Sequence, residues 1–381
     1  MTVAPHLILT GKQVMGRDCH DLSRAKCLSI QSRDSRSPFC LDLAESGGPR
    51  RSLYDRMIID FHNHFYPPLY LDALEKGRTN VWVAQDDAGK LRLMMRNFDN
   101  VLARAHYDMD ARVAAMDRYG VDMQCLTMTI PGVHVEQPAT GVRLAQVVND
   151  GFAEVIARYP KRLTALAVLP LHDPAASVVE LERAVTQLGL RGGILFSHVN
   201  GVLPDDERFF PLYEKAIALD VPLWMHPTVP QTAGAMGDYN IVVVAGFLHE
   251  TTVAVCRMVY GGVLQRFPTL KLVLSQMGGT IPYIAERIER GYHVYDACRT
   301  VLTEPPMAQL KRLYMDTTPF SSHAIQVATA FAGVDKILMG SDFPHEIGDL
   351  PGAVATIQGL PFAEADKLKI LGGNAKKLLK L

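Results

Sequence analysis

Two histidines separated by one residue, His62 and His64, are where chemistry first becomes legible in this chain. They follow the apolar run Met57-Ile58-Ile59-Asp60-Phe61, which predicts a β-strand, and residues two apart on a strand face the same side. Two neutral imidazoles converging at a strand end form half of a metal site. His226 closes another such run, Leu223-Trp224-Met225-His226, and Asp342 closes Leu338-Met339-Gly340-Ser341-Asp342. Three imidazoles and one carboxylate suit a single divalent ion, Zn²⁺ foremost, with Mn²⁺, Co²⁺ or Fe²⁺ as alternatives. Asp60, two residues before His62, is expected to share its face and orient a ligand from below.

These groups need a scaffold that brings distant strand ends together. Short β-rich apolar runs recur at 57–61, 124–130, 163–171, 191–198, 222–226, 271–276, 313–318 and 337–342, as parallel strands buried on both faces do. Helical patterns separate them. Leu144, Val148, Phe152 and Val155 form one stripe within 141–158, and Asp173-Pro174 caps a helix that runs through Leu188 to Gly189. Leu212, Ala216 and Leu219 mark another within 206–219. Strand and helix alternating eight times predict an α/β fold, a closed (β/α)8 TIM barrel. An open doubly wound sheet is the competitor, but no Gly-x-Gly-x-x-Gly turn follows any of these runs. Some 45 residues separate His64 from the helix near 110–119 and contain a hairpin, Val81–Gln85 with Leu91–Met95. This insertion after the first strand is either a lid over the site or a surface decoration.

Composition sets further limits. The chain has 381 residues, 48% of them hydrophobic, and its 39 basic and 40 acidic side chains leave a net charge of −1. That balance gives no electrostatic reason for a nucleic-acid or membrane partner. No uninterrupted apolar run has the length of a membrane span. The six cysteines show no Cys-x-x-Cys pairing, so a reducing, cytoplasmic location is expected. Residues 1–56, with nine Lys/Arg, six Asp/Glu and seven Ser, show no useful periodicity. They are read as a flexible extension, or as an over-long start with Met57 the natural one, and 57–381 as the functional domain.

Several spaced motifs then coincide. Ile59-Asp60-Phe61-His62-Asn63-His64-Phe65-Tyr66-Pro67 resembles the opening motif of the amidohydrolase superfamily. It resembles more narrowly the branch typified by aminocarboxymuconate-semialdehyde decarboxylase and the resorcylate-type decarboxylases. Met116–Asp122, Trp224–Pro227, Gly340–His345 and Gly373-Asn374-Ala375 match the same branch in order. The resemblance implies a (β/α)8 barrel, one divalent metal held by His62, His64, His226 and Asp342, a small carboxylic acid substrate and a homodimer.

The chain departs from that branch in two places. Gln276, in Leu274-Ser275-Gln276-Met277-Gly278-Gly279-Thr280, stands where the branch usually has a catalytic histidine. An amide can orient a water or a substrate oxygen, but it does not titrate near neutrality. Asp342, His198 and His249 are the candidates to carry the proton instead, and His345 is expected to touch substrate. Asp99 falls where some members carry a substrate-gripping arginine, with Arg96 and Arg104 nearby. An anion could instead meet the Gly278-Gly279-Thr280 turn at the start of a helix. The expected activity is decarboxylation of a small aromatic or unsaturated carboxylic acid. The alternatives are hydrolysis of a cyclic amide or lactone by water at the same ion, and a metal-containing binding protein without turnover.

Overall fold

The computed structural model describes residues 57–381 apart from Asn97 and Pro319; the extension expected at 1–56, with Cys19, Cys27 and Cys40, lies outside the described residues. The strands are β1 (Ile59–His64), β2 (Trp82–Gln85), β3 (Leu91–Met95), β4 (Phe98–Val101), β5 (Met123–Thr127) and β6 (Leu163–Ala165). They continue as β7 (Gly193–Phe196), β8 (Leu223–His226), β9 (Leu272–Leu274), β10 (Tyr314–Asp316) and β11 (Ile337–Leu338). All the expected parallel strands are present; seven are shorter than their apolar runs, whereas β1 continues to His64, three residues past its run.

The fold is mixed α/β. One parallel group has the order β1-β5-β6 and a second the order β11-β10-β9-β8-β7. Backbone bonds join the groups on both sides. Phe61 N–H donates to Met339 O (2.9 Å) and His64 N–H to Phe343 O (2.8 Å), while Ala167 N–H donates to Gly192 O (2.8 Å) and Ile194 N–H to Ala167 O (2.9 Å). Strands buried on both faces account for the continuous apolar runs. The flanking helices follow from the expected patterns. Pro138–Arg158 buries Leu144, Val148 and Phe152, and Pro174–Thr186 starts where the Asp173 carboxylate accepts the Ala176 N–H (3.0 Å).

Between β1 and the helix Met109–Tyr119 the expected hairpin has a third strand. β2, β3 and β4 form an antiparallel meander, preceded by the helix Pro68–Lys76. In β4, Asp99 pairs with Arg92 on β3 at 2.6 Å, a cross-strand contact; it therefore has a structural partner where an arginine was sought. The helical stretch Val242–Tyr260 is long and apolar enough to cross a membrane by length and composition, although His249, Glu250 and Arg257 interrupt its apolar run. It packs Phe247, Ala254, Val255, Met258 and Val259 into the core.

Arg112 ties the carboxyl end of β1 to the rest. Its guanidinium is fully buried and donates to Asn63 Oδ1 (2.9 Å), Gln124 Oε1 (2.7 Å), Ala105 O (3.1 Å) and the carbonyl of His64. The rings of Phe65 and Phe343 lie 5.3 and 5.2 Å from its central carbon. Burial lowers its pKa to about 9, opposed by the charge of Asp60, yet it stays protonated at neutral pH. Replacing it with methionine strips four acceptors of their donor, and the urea midpoint is expected to fall by the equivalent of about 3 kcal/mol or more. Arg112→Lys is expected to recover less than half of that loss, because an ammonium cannot reproduce the planar fork.

Candidate metal centre

The carboxyl ends of the parallel strands carry the polar residues. His64 and His226 end β1 and β8, Asp316 ends β10, and Gln276 and Asp342 follow β9 and β11. The ring nitrogens of His62, His64 and His226 lie within 4.8 Å of one another. His62 Nε2 is 3.1 Å from His64 Nε2, and Asp342 Oδ1 is 3.0 Å from His64 Nε2 and 3.5 Å from His62 Nε2. Glycine at 340 permits this approach: a Cβ there would sit 2.7 Å from the Cβ of His62 and 3.1 Å from that of Asp316.

The outer nitrogens decide which atoms face inward. His62 Nδ1 is 2.8 Å from Asp316 Oδ2 and 2.8 Å from Thr318 Oγ1. Asp316 also accepts the Gln276 N–H (2.8 Å) and the Thr318 hydroxyl, so its carboxylate is fixed. His226 Nδ1 is 2.7 Å from the Pro227 carbonyl, with Thr129 Oγ1 at 3.1 Å. Thr127 donates its hydroxyl to Asn63 O (2.5 Å), which leaves its oxygen to accept from His64 Nδ1 at 3.3 Å. A proton on each Nδ1 satisfies these oxygens and leaves the three Nε2 lone pairs for an ion, those of His62 and His64 facing Asp342. That is the donor set, with its outer support, of a protein-bound divalent ion.

Electrostatics agree. Burial opposes a charge on His62, but Asp316 and Asp342 more than offset it and raise its pKa to about 10. Burial pushes His64 well below the usual imidazole range, and burial together with the charge of His62 pushes His226 down to about 3. Burial also disfavours ionised Asp342, yet hydrogen bonds and charge from His62 and His64 hold its carboxyl well below the ordinary value. The cluster therefore demands one positive charge, and without a metal a proton supplies it. Backbone strain sits here too: Asp342 has φ 56°, Gln276 φ 52° and Met277 φ 59°, each in the left-handed region that non-glycine residues adopt at some cost.

Other expected residues divide. His345 joins the cluster, its ring centroid 4.7 Å from that of His64. Gln276 is buried, and its Oε1 has no partner among the described residues. His198 does not reach the cluster: Nε2 contacts Val229 O (3.0 Å) and Thr228 Oγ1 (2.9 Å), and Nδ1 accepts the Gly201 N–H (3.3 Å), so both nitrogens clasp loops. His249 is exposed on the first turn of Phe247–Tyr260, not in a loop over the site. The Gly278-Gly279-Thr280 turn offers no free donor at those residues. Gly278 N–H goes to Ser275 O (2.9 Å), Gly279 N–H to Gln276 O (3.0 Å) and Thr280 N–H to Thr252 Oγ1 (2.9 Å). Arg96 is exposed and Arg104 pairs with Asp108 at 2.6 Å.

Asp60 also differs from expectation. Its carboxylate accepts from Gln124 Nε2 (2.9 Å) and Ser341 Oγ (2.7 Å) rather than from a histidine, because the register of β1 on β5 shifts between Asp60 and Asn63. Asp316, Thr127, Thr129, Thr318 and His106 had no role in the sequence reading. Asp316 alone had a usable signal, a carboxylate closing an apolar run as Asp342 does.

The amidohydrolase family profile matches residues 59–381. The 2-amino-3-carboxymuconate-6-semialdehyde decarboxylase of Dictyostelium discoideum is 32% identical over 85% of this chain and 91% of its own length. The structure of 5-carboxyvanillate decarboxylase from Sphingomonas paucimobilis superposes with a TM-score of 0.73 at 27% identity, covering 86% of this chain and 99% of that one. A dihydroxybenzoic acid decarboxylase from Polaromonas sp. JS666, with bound manganese and the inhibitor 2-nitroresorcinol, gives 0.71 at 26% identity over 86% and 97%.

Two measurements follow from the geometry. Asp316→Asn removes the fixed acceptor from His62 Nδ1 and is expected to weaken Mn²⁺ binding about 10–100-fold in a chelator competition. His62 keeps its proton below its pKa of about 10 and must release it to bind an ion. Calorimetry in buffers of different ionisation heat should then detect about one proton released per ion at pH 7.5. The apparent affinity should rise about tenfold per pH unit between 7 and 9.

Proposed function

The chain belongs to the amidohydrolase family, and from that membership we propose that it is a metal-dependent decarboxylase of a small aromatic or unsaturated carboxylic acid. The observation that carries the reading is the grouping of three outward-anchored imidazoles at the strand ends, two of them in contact with Asp342, in a chain whose relatives named above are decarboxylases. His62, His64, His226 and Asp342 would hold the ion. When bound, a divalent ion there would supply positive charge for the substrate carboxylate and draw electron density from the carbon framework.

The chain's own residues supply the rest. Trp224, Phe196 and Phe247 surround the histidines, with ring centroids 4.7 Å from His62 for Trp224, and 6.4 and 6.3 Å from His226 for the two phenylalanines. This wall excludes water and strengthens each charge interaction within it. As the bond to the carboxylate breaks, its electron pair remains on the substrate carbon, which takes a proton while CO₂ leaves. That proton would come from water and pass to the carbon through Asp342, whose carboxylate touches the imidazoles of His64 and His62. Gln276 contributes an amide that orients the substrate without titrating.

The wider frame reads as a closed (β/α)8 barrel formed by the two joined parallel groups, with the β2-β3-β4 meander as an insertion after the first strand. Zinc fits three imidazoles and a carboxylate, and manganese is named with a structural relative. A cytoplasmic homodimer without a nucleic-acid or membrane partner completes the reading.

CO₂ trapping from metal-loaded protein, offered a panel of hydroxybenzoates and muconate-like acids, tests it. At least one acid should release CO₂, and Asp342→Asn should slow that release at least about 100-fold. No CO₂ from any member, with base consumption on lactones or imides instead, would replace the decarboxylase by a hydrolase.

A further inference from the structure

His345 stands beside the cluster without an anchor for its side chain. Its ring centroid is 4.7 Å from that of His64 on one side and 4.7 Å from that of His106 on the other, at interplanar angles of 49° and 56°. Its backbone N–H donates to Asp342 O (3.0 Å), but neither ring nitrogen has a hydrogen-bond partner among the described residues. Packing between two rings is therefore what holds it. His64 belongs to β1 and is fixed by the parallel strands. His106 is fixed from elsewhere.

The His106 ring is fully buried, and its Nδ1 accepts the Ala103 N–H at 3.0 Å. Its carbonyl accepts the Tyr66 N–H at 2.7 Å, and the two ring centroids lie 5.7 Å apart. Burial, with the charges of His345 and Arg112, pushes its pKa well below the usual imidazole range, so it meets His345 as a neutral wall. The Tyr66 hydroxyl, also fully buried, accepts from Asn100 Nδ2 (2.8 Å) and donates to Ile130 O (3.2 Å). Asn100 comes from β4 of the insertion, opposite Leu93 of β3. Both are buried while Asp99 is exposed, so strand alternation turns Asn100 toward the barrel. At the other end of the meander, the Asn80 and Val81 N–H groups donate to the Glu136 carboxylate at 2.7 and 2.9 Å. The insertion is thus fastened at two points to the stretch that follows β5.

We propose that Asn100, Tyr66 and His106 are positioning residues, through which the β2-β3-β4 insertion sets where the His345 ring meets the substrate. The insertion is then part of the site and not a surface decoration. A ring held by packing alone moves when its wall moves, and a misplacement of about 1 Å can cost about 100-fold in rate. The inference rests on the proposed function for the contact with substrate, whereas the placing of the ring does not depend on the reaction.

The test follows the ring directly. Full-length protein carrying ¹⁵N-labelled histidine and loaded with Zn²⁺ is studied by long-range ¹H–¹⁵N correlation, and the signals lost in His345→Gln are those of His345. In Asn100→Ala and Tyr66→Phe these signals are expected to shift or broaden, with kcat/KM for CO₂ release lowered about 10–100-fold. The double variant should lose no more than either single one, because both changes cut the same link. Asp99→Ala, on the outward side of the same strand, should leave signals and rate unchanged. Asn100→Leu, near-isosteric and without a donor, replaces any variant that circular dichroism shows to be unfolded. His345 signals that stay in place in folded variants, additive losses in the double variant, or a rate unchanged despite displaced signals would overturn the proposal. Displaced signals with no CO₂ from any acid remove the decarboxylase and leave the placing of the ring standing, whereas CO₂ release with signals in place does the reverse.

Discussion

Inward-facing imidazole lone pairs and a carboxylate oxygen, held about 3 Å apart away from water, repel unless a positive charge sits among them. That constraint organises the molecule. It explains why His62 retains a proton well above neutrality, why Asp342 stays ionised despite burial, and why each outer nitrogen is turned to an oxygen. None of these groups would be stable in its place alone. Together they form a socket whose preferred occupant is a cation, and the rest of the fold keeps the socket from relaxing.

Much of the polar interior serves that end. Arg112 holds the carbonyl of His64 and the side chain of Asn63, while Asp60 anchors Ser341, so the strands that bring His62 and Asp342 together are bonded behind the histidines. Burial raises the Asp60 pKa to about 7 in spite of donors from Ser341 and Gln124. The charge of Arg112 works against that rise. Buried ion and hydrogen-bond networks of this kind add little net stability compared with apolar packing, but they fix geometry, and geometry is what a coordination site needs. The left-handed backbone at Gln276, Met277 and Asp342 is strain carried for the same purpose.

The sequence disclosed the parts of this arrangement that follow from periodicity. Continuous apolar runs located all the parallel strands, and strand-end position singled out His62, His64, His226 and Asp342. Three kinds of information were out of reach. Supporting hydroxyls such as Thr127, Thr129 and Thr318 have no characteristic spacing, and they matter only through which nitrogen they face. A register shift inside β1 cancels the two-residue alternation that had aligned Asp60 with the histidines. Glycines before a helix resemble an anion site in sequence, yet at Gly278 and Gly279 the N–H groups close the turn on itself. His198 illustrates the same lesson: a histidine ending a strand can be spent on holding loops.

The turn from Gln276 to Gly279 places four successive residues at positive φ, with Gln276 N–H bonded to Asp316. Its path is thus dictated by the backbone and by the carboxylate behind it, not by the side chain at 276. Glutamine and histidine codons differ only in the third base. A lineage carrying this loop can therefore exchange an inert amide for an ionisable ring by one mutation without rebuilding the scaffold, so its proton chemistry is free to drift while its architecture stays put.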